Sequence, residues 1–365
     1  MITLAILMAP LTLQAQLPTL DFIIGGASND AKLLLTEYMR PYANIMGANL
    51  NAGWYNTAKP HKLGGFDLTI TGSVAFAPVT ALSYNLDDLT ELQAEVVGAT
   101  GSDNLAPTVA GNMESLPELV YTETVINPFT EIPETFEIAR VQHPNGIDIN
   151  FLPLPMAQLS VGLIKGTDVS LRYVPDIAIG DYGEIGVFGI GGRHSVSQWI
   201  PVLKRLKFIN IAVQGGYTKV GAMANLDIQP GDVEVDPFAG DPNAPDWNDQ
   251  FLNMNLSGWT VNLIASQSIP VITVYEGIGF ASSAVDLALL GSYPVNTVVA
   301  EEGADFGKTT YTVISDPIEE FEVGSGRNLR LNAGLRIKLG ILTLHYDFTR
   351  TLYNTHTAGL GISFR

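Results

Sequence analysis

Cysteine is absent from the 365 residues. That excludes disulfides and thiolate metal sites and fits an exported bacterial envelope protein. Beyond the N-terminus there is no apolar run of roughly 18 or more residues, which argues against a helical membrane protein. Positive charge is scarce: 19 Lys and Arg stand against 37 Asp and Glu, a formal net charge of -18. Nucleic-acid binding needs a basic footprint, and this acidic balance argues against it. Charged residues are only 15% of the chain while apolar ones are 46%, so the surface cannot be richly charged everywhere. A chain that spans a bilayer without helices has one remaining solution, a closed β-barrel.

What is present points the same way. From Asn328 to Leu339 one alternate set is Leu329, Leu331, Ala333, Leu335, Ile337 and Leu339, and the other is Asn328, Arg330, Asn332, Gly334, Arg336 and Lys338. Leu342–Thr349 and Thr357–Phe364 repeat the pattern. Strict period-2 alternation marks a half-buried strand. Segments of about ten residues are long enough to cross a bilayer at a tilt. Apolar outside and polar inside is the pattern of an outer-membrane barrel. Clear strands begin near 65, 155, 167, 184, 208, 257, 271, 328, 340 and 355. An ambiguous hairpin at 119–141 belongs either to the wall or to a large loop. Parity then puts short turns at one end and long connections at the other, as the class requires. The expected fold is a transmembrane antiparallel β-barrel of about 10–14 strands at 65–365, all-β apart from an N-terminal helical plug or cap. Two local features disturb the pattern. Gly191-Gly192 marks an expected bulge. Glu276 falls in the lipid-facing phase, which a bulge or a position at the membrane interface would resolve.

Residues 1–15 read as a signal peptide with cleavage before Gln16, although no Lys or Arg follows Met1. Residues 16–64 form the N-terminal segment. Ser28-Asn29-Asp30 caps a helix carrying Ala31, Leu34, Leu35 and Tyr38, and Pro41 is expected to bend or end it. This segment either tucks into the barrel as a plug or caps it from the periplasm, where both termini of such a barrel are expected.

The lumen-facing polar candidates are Asp67, Arg172, Arg330, Arg336, Lys338, His345 and Asp347. They serve either as cross-strand charge ladders that staple the wall or as a polar path. His345, Asp347 and Ser363 have the residue types of a hydrolase, but no motif links them, so the chain is expected not to be an enzyme. The loop Asp227–Asp249 has seven carboxylates and no Lys or Arg. Asp241, Asn243, Asp246, Asn248 and Asp249 have Ca²⁺-ligand character, but EF-hand spacing is missing and a solvated loop is the reading. No metal or cofactor is expected. Tyr173, Tyr217, Trp259, Tyr346, Tyr353 and Phe364 fit interfacial girdles.

Ser28-Asn29-Asp30-Ala31, Lys165-Gly166-Thr167-Asp168-Val169, Gly192–Pro201 and the ending Gly359–Phe364 resemble a Bacteroidetes-type outer-membrane barrel family without assigned function. More distantly, the layout is similar to long-chain fatty-acid transporter barrels, which implies a plug, a monomeric wall and hydrophobic cargo. That family's Asn-Pro-Ala plug signature is missing, so its ligand residues are not carried over. Phe364 matches the terminal aromatic of barrel-assembly signals, although Arg365 follows it.

The leading expectation is an outer-membrane protein for passive transport or binding of a small hydrophobic molecule, because a narrow plugged barrel leaves no wide aqueous pore. The alternatives are a structural or partner-binding barrel whose long acidic loops contact other envelope proteins, and a barrel hydrolase. Outer-membrane lipid is the expected surrounding, and a monomer the expected state.

Overall fold

The computed structural model describes residues 28–98, 104–178, 183–205, 208–230, 233–242, 244–245 and 247–364. Residues 1–15, read from the sequence as a signal peptide, lie outside the described residues. Helix α1 (Ser28–Leu50) is followed by β1 (Phe66–Phe76). Next come β2 (Ser83–Asn85), β3 (Glu95–Val97), β4 (Leu105–Pro107), β5 (Glu118–Ile126) and β6 (Pro133–Gln142). Then follow β7 (Phe151–Gly162), β8 (Thr167–Ala178), β9 (Gly183–Ser195), the short α2 (Pro201–Arg205), β10 (Ile209–Asn225), β11 (Phe251–Ser268) and β12 (Ile272–Leu290). The chain ends with β13 (Ser292–Val298), β14 (Thr309–Ser315), β15 (Ile318–Leu339), β16 (Leu342–Arg350) and β17 (Asn354–Phe364).

Ten strands close a barrel in the order β1-β7-β8-β9-β10-β11-β12-β15-β16-β17, with β17 paired back to β1. Every neighbouring pair is antiparallel. The hairpin at 119–141 is outside the wall: β5 and β6 form a separate three-stranded sheet with β3. Together with the β2–β4 pair and the β13–β14 hairpin it makes a cap over the long-loop end. Asn296 donates to Ile138 O and Thr297 to Glu123, which ties the two parts of the cap together.

Four wall strands, β10, β11, β12 and β15, run 17–22 residues, beyond the lengths read from the sequence. Their extra length stands above the lipid band, and there the alternation changes sense. On β12, Val274, Ile278 and Phe280 are exposed on the outside, whereas higher up Val285, Leu287 and Leu289 are buried on the inside. On β15 the outward residues change from Leu329 and Leu331 to Glu320 and Glu322. An apolar face must meet lipid below the rim and must be hidden from water above it. The register shift between Ser283 and Ala284, opposite Gly324 and Gly326, accommodates this step on β15.

Helix α1 provides the apolar partner for the raised wall. Ala31, Leu34 and Leu35 share a core with Leu226, Leu256, Leu287 and Phe321. The helix starts at the long-loop end: the Asp30 carboxylate accepts from the Gln93 and Ala94 amides of the cap. It descends to mid-barrel, where Leu50 O meets Arg172 of β8. Within the described residues the segment therefore runs from the long-loop end toward the short-turn end. Pro41 does not end the helix. Its missing N–H removes one bond, and burial of Tyr38, Tyr42 and Ile45 on either side holds the helix together. Tyr353 belongs to that same core rather than to a girdle, because the turn at 351–353 folds inward onto α1.

Residues 51–62 continue down the lumen to the short-turn end, and their burial explains Gly191. The β9–β10 register is regular through Gly191-Gly192, so the expected bulge is absent. Instead, a Cβ at Gly191 or Gly216 would fall 2.6 or 2.4 Å from the Trp54 ring, which fills the space these glycines leave. Register is also regular at Glu276, which is exposed on the outer face between Ala265 and Ala333, so no bulge turns it inward. Gly216→Leu should overpack the lumen at a cost of about 1–3 kcal/mol or more. The expected outcome is a lower urea midpoint of the refolded barrel, followed by its heat-modifiable gel mobility.

Candidate functional site in the lumen

The lumen is occupied, and three arginines of the wall hold its contents. Arg172, fully buried on β8, donates from Nη1 to Leu50 O (2.9 Å), from Nη2 to Ala52 O (2.7 Å) and from Nε to Gln158 (3.0 Å). Its guanidinium stacks 3.7 Å from the Trp54 ring centroid. A planar fork that donates in several directions and stacks on an aromatic face suits arginine and not lysine. Arg330 on β15 donates to Tyr55 Oη (2.8 Å) and to Asn262 Oδ1 (3.0 Å). Arg193 on β9 donates to Thr57 O and to the Asp168 carboxylate. Two neutral contacts complete the set: Gln158 donates to Trp54 O, and Ser266 Oγ accepts from the Ala58 amide.

These contacts fix residues 50, 52, 54, 55, 57 and 58 of the plug to β7, β8, β9, β11 and β15. Below them His61 lies between two carboxylates, with Nδ1 3.0 Å from Asp168 and Nε2 3.9 Å from Asp67. Arg336 meets Asp67 at 3.4 Å. Lys338 Nζ, half-buried at the short-turn rim, donates to Ser363 O at 3.0 Å. Asp347 accepts from Tyr275 Oη (3.0 Å) and Asn332 (2.7 Å).

Asp67 and Arg336 thus form a cross-wall ion pair, whereas Arg172 and Arg330 bond to the plug and to neutral wall groups. The polar lumen is chiefly a wall-to-plug joint. Arg172, Thr218 and Thr357 have 0% exposure on three different strands, where a water-filled channel would expose them. The hydrolase constellation is not assembled. Ser363 is engaged by Lys338, Asp347 by Tyr275 and Asn332, and both ring nitrogens of His345 lack a hydrogen-bond partner among the described residues. His345 pairs in register with Gly359, four residues short of Ser363. Asn243 and Asp246 of the acidic loop lie outside the described residues. Among the described residues no cluster of three or more His, Asp or Glu is placed to hold a metal.

Arg193, Asp168, His61, Trp54 and Tyr55 are the joint residues that sequence reasoning did not single out. Asp168 and Arg193 did carry a signal, as charges on the inward phase of glycine-flanked strands. Trp54 and Tyr55 sit in a connector without periodicity, which conceals their role.

A second joint ties cap to helix. Tyr84 Oη lies 2.8 Å from His143 Nε2, His143 Nδ1 lies 2.8 Å from Pro144 O, and the Tyr38 ring meets the imidazole edge-on. Nδ1 is therefore the donor to the carbonyl, and Nε2 accepts the phenol hydrogen.

The sequence matches the model of a family described as a family of unknown function, DUF6588, over residues 1–364. The chain belongs to that family. None of the curated proteins matches it. Among solved structures, it is similar to the translocator domain of the autotransporter NalP from Neisseria meningitidis, with 9% identity and a TM-score of 0.31, covering 90% of this chain and 99% of that one. It is also similar to the toluene transporter TbuX of Ralstonia pickettii, with 6% identity and a TM-score of 0.20, covering 83% and 90%. The toluene transporter TodX of Pseudomonas putida gives 8% identity and a TM-score of 0.15, covering 90% and 97%.

Two outcomes follow from these joints. Arg172→Ala leaves the Leu50 and Ala52 carbonyls without their donor, and Arg172→Lys cannot restore the fork. Each should lower unfolding stability by about 1–3 kcal/mol for every buried acceptor left without its donor, measured by urea unfolding in lipid vesicles. Burial lowers the His143 pKa from 6.5 to about 4. The unfolded cap therefore takes up the proton first, so this stability is full above pH 6.5 and is lost as pH falls towards 4. Limited proteolysis of the cap should accelerate across that window in the wild type and much less in His143→Gln.

Proposed function

We propose that this protein is an outer-membrane barrel, sealed by its own N-terminal segment, that serves as a rigid base for a partner-binding cap on the cell surface. The observation that carries this reading is the three-arginine joint. A gate has to leave its channel at low cost, whereas withdrawing residues 50–58 would strand buried arginines whose charge-assisted bonds contribute about 1.5–3 kcal/mol each. The exposed apolar band, the closed wall and the short-turn and long-loop asymmetry support the membrane location, with the cap outward.

Charge supports the choice of the cap as the working surface. The connections 77–150, 226–250 and 291–317 hold 23 of the 37 acidic residues and two of the 19 basic ones, a balance of -21 that leaves the rest of the chain at +3. A surface of that sign steers cationic partners toward it and repels anionic ones.

A transport reading, with hydrophobic cargo as in the fatty-acid transporter barrels, has one feature in its favour. β15 pairs with β16 only from Leu331 downward, so its upper edge runs free beside α1. A cleft of about 20 Å³ opens there, lined by Gly47, Asn51, Ser283, Asn328, Arg330 and Thr351. That volume holds about one water molecule, and cargo would require the step in the wall to widen. Planar-bilayer recording separates the two readings. Inserted wild-type protein, verified by its heat-modifiable band, should show no conductance at any physiological voltage. A steady conductance from the wild type would reject the sealed-barrel reading.

A further inference from the structure

The end of the barrel opposite the cap has the reverse chemistry. Three stretches adjoin there: 59–65 before β1, 163–167 across the β7–β8 turn into β8, and 194–205 from the end of β9 through α2. Gly64 N bonds to Gly162 O, Ser195 N to Gly166 O, and Gln198 Nε2 to Lys165 O, so they form one continuous arc. None of the three contains an Asp or Glu. The carboxylates just above, Asp67 and Asp168, are buried and engaged by Arg336 and Arg193. Lys62, Lys165 and Arg205 are exposed on the arc.

Between these cations stand apolar side chains at the turns themselves. Leu63 is 71% exposed, Ile164 63%, Trp199 66% and Val202 68%, values as high as those on the lipid-facing wall. Trp199 is held in place by its Nε1 donating to His194 Nε2 at 3.0 Å, which leaves its ring outward. The arc continues downward from the exposed Phe66, Val161 and Val169 of the wall. A tryptophan and long cations directly beneath a lipid band are the groups that settle among headgroups. A water-facing protein dock would not need to continue the lipid wall.

We propose that this arc is a binding surface for anionic phospholipid headgroups of the inner leaflet. Lys62, Lys165 and Arg205 contact the phosphates, and Leu63, Ile164, Trp199 and Val202 sink into the adjoining acyl layer. The surface requires only that the barrel spans a membrane and is independent of what the cap binds.

The test reconstitutes the full chain in nanodiscs of equal phosphatidylglycerol and phosphatidylcholine, extracts it gently and counts retained lipids by native mass spectrometry. Wild-type protein should retain phosphatidylglycerol about fivefold or more over phosphatidylcholine, the factor expected for even one such charge. The triple variant Lys62→Gln, Lys165→Gln, Arg205→Gln should lose the preference. Lys62→Arg with Lys165→Arg should keep it, which separates lost charge from lost fold. Equal retention of the two lipids by the wild type, as for an arc that docks an acidic protein instead, would overturn the proposal. So would a folded triple variant that keeps the wild-type preference.

Discussion

A buried guanidinium needs acceptors, and the rest of this structure follows from how the lumen supplies them. Arg172 and Arg330 project from the wall into the packed lumen, where both are buried and an unsatisfied charge is untenable. The wall gives them few oxygens, and the carbonyls and hydroxyl of residues 50–55 give the remainder. The plug has no independent core of its own. Trp54 and Tyr55 are ordered by the arginines and by the glycines that make room for them. Wall and plug are therefore one folding unit, and neither satisfies its polar groups without the other.

The same constraint sets the arrangement along the barrel axis. Between the lipid band and the cap, strands lose their lipid neighbours and need an apolar partner on the inside, which α1 provides. Below, where lipid covers the outside, the inside is polar and the extended connector replaces the helix. An extended segment exposes its backbone carbonyls to the wall arginines, whereas a helix would spend them on its own bonds. The helix-to-connector change at Leu50 thus coincides with the change from apolar to polar lumen.

Much of the wall was legible in the sequence because lipid imposes a strict rule. From Phe66 to Phe76 and from Leu329 to Phe364, alternation reports the face directly, and all ten strand starts read from it correspond to strands of the barrel. The tall strands were less legible, since β12 keeps its phase but exchanges which set is apolar at Ala281. The 119–141 hairpin alternates like any strand, and nothing local distinguishes a cap sheet from a wall. Glu276 remains an outward charge that the barrel geometry does not turn inward. The joint was only half readable: the inward charges Asp67, Arg172, Arg330, Arg336 and Asp347 could be named, but not their partners. Those lie in a connector whose conformation is dictated by the barrel and not by its own periodicity. Gly191 shows the cost of local reasoning, because its role is to leave space for a tryptophan 137 positions earlier in the chain.

The most direct measurement is amide hydrogen exchange of the intact protein in lipid, resolved over residues 50–58 and compared with β8 and β15. If plug and wall are one unit, the amides of this stretch that lie buried should exchange only with the barrel strands, at the free energy of global unfolding. Faster exchange of 50–58 while β8 and β15 stay protected would show a plug that leaves its arginines behind, and would contradict the account.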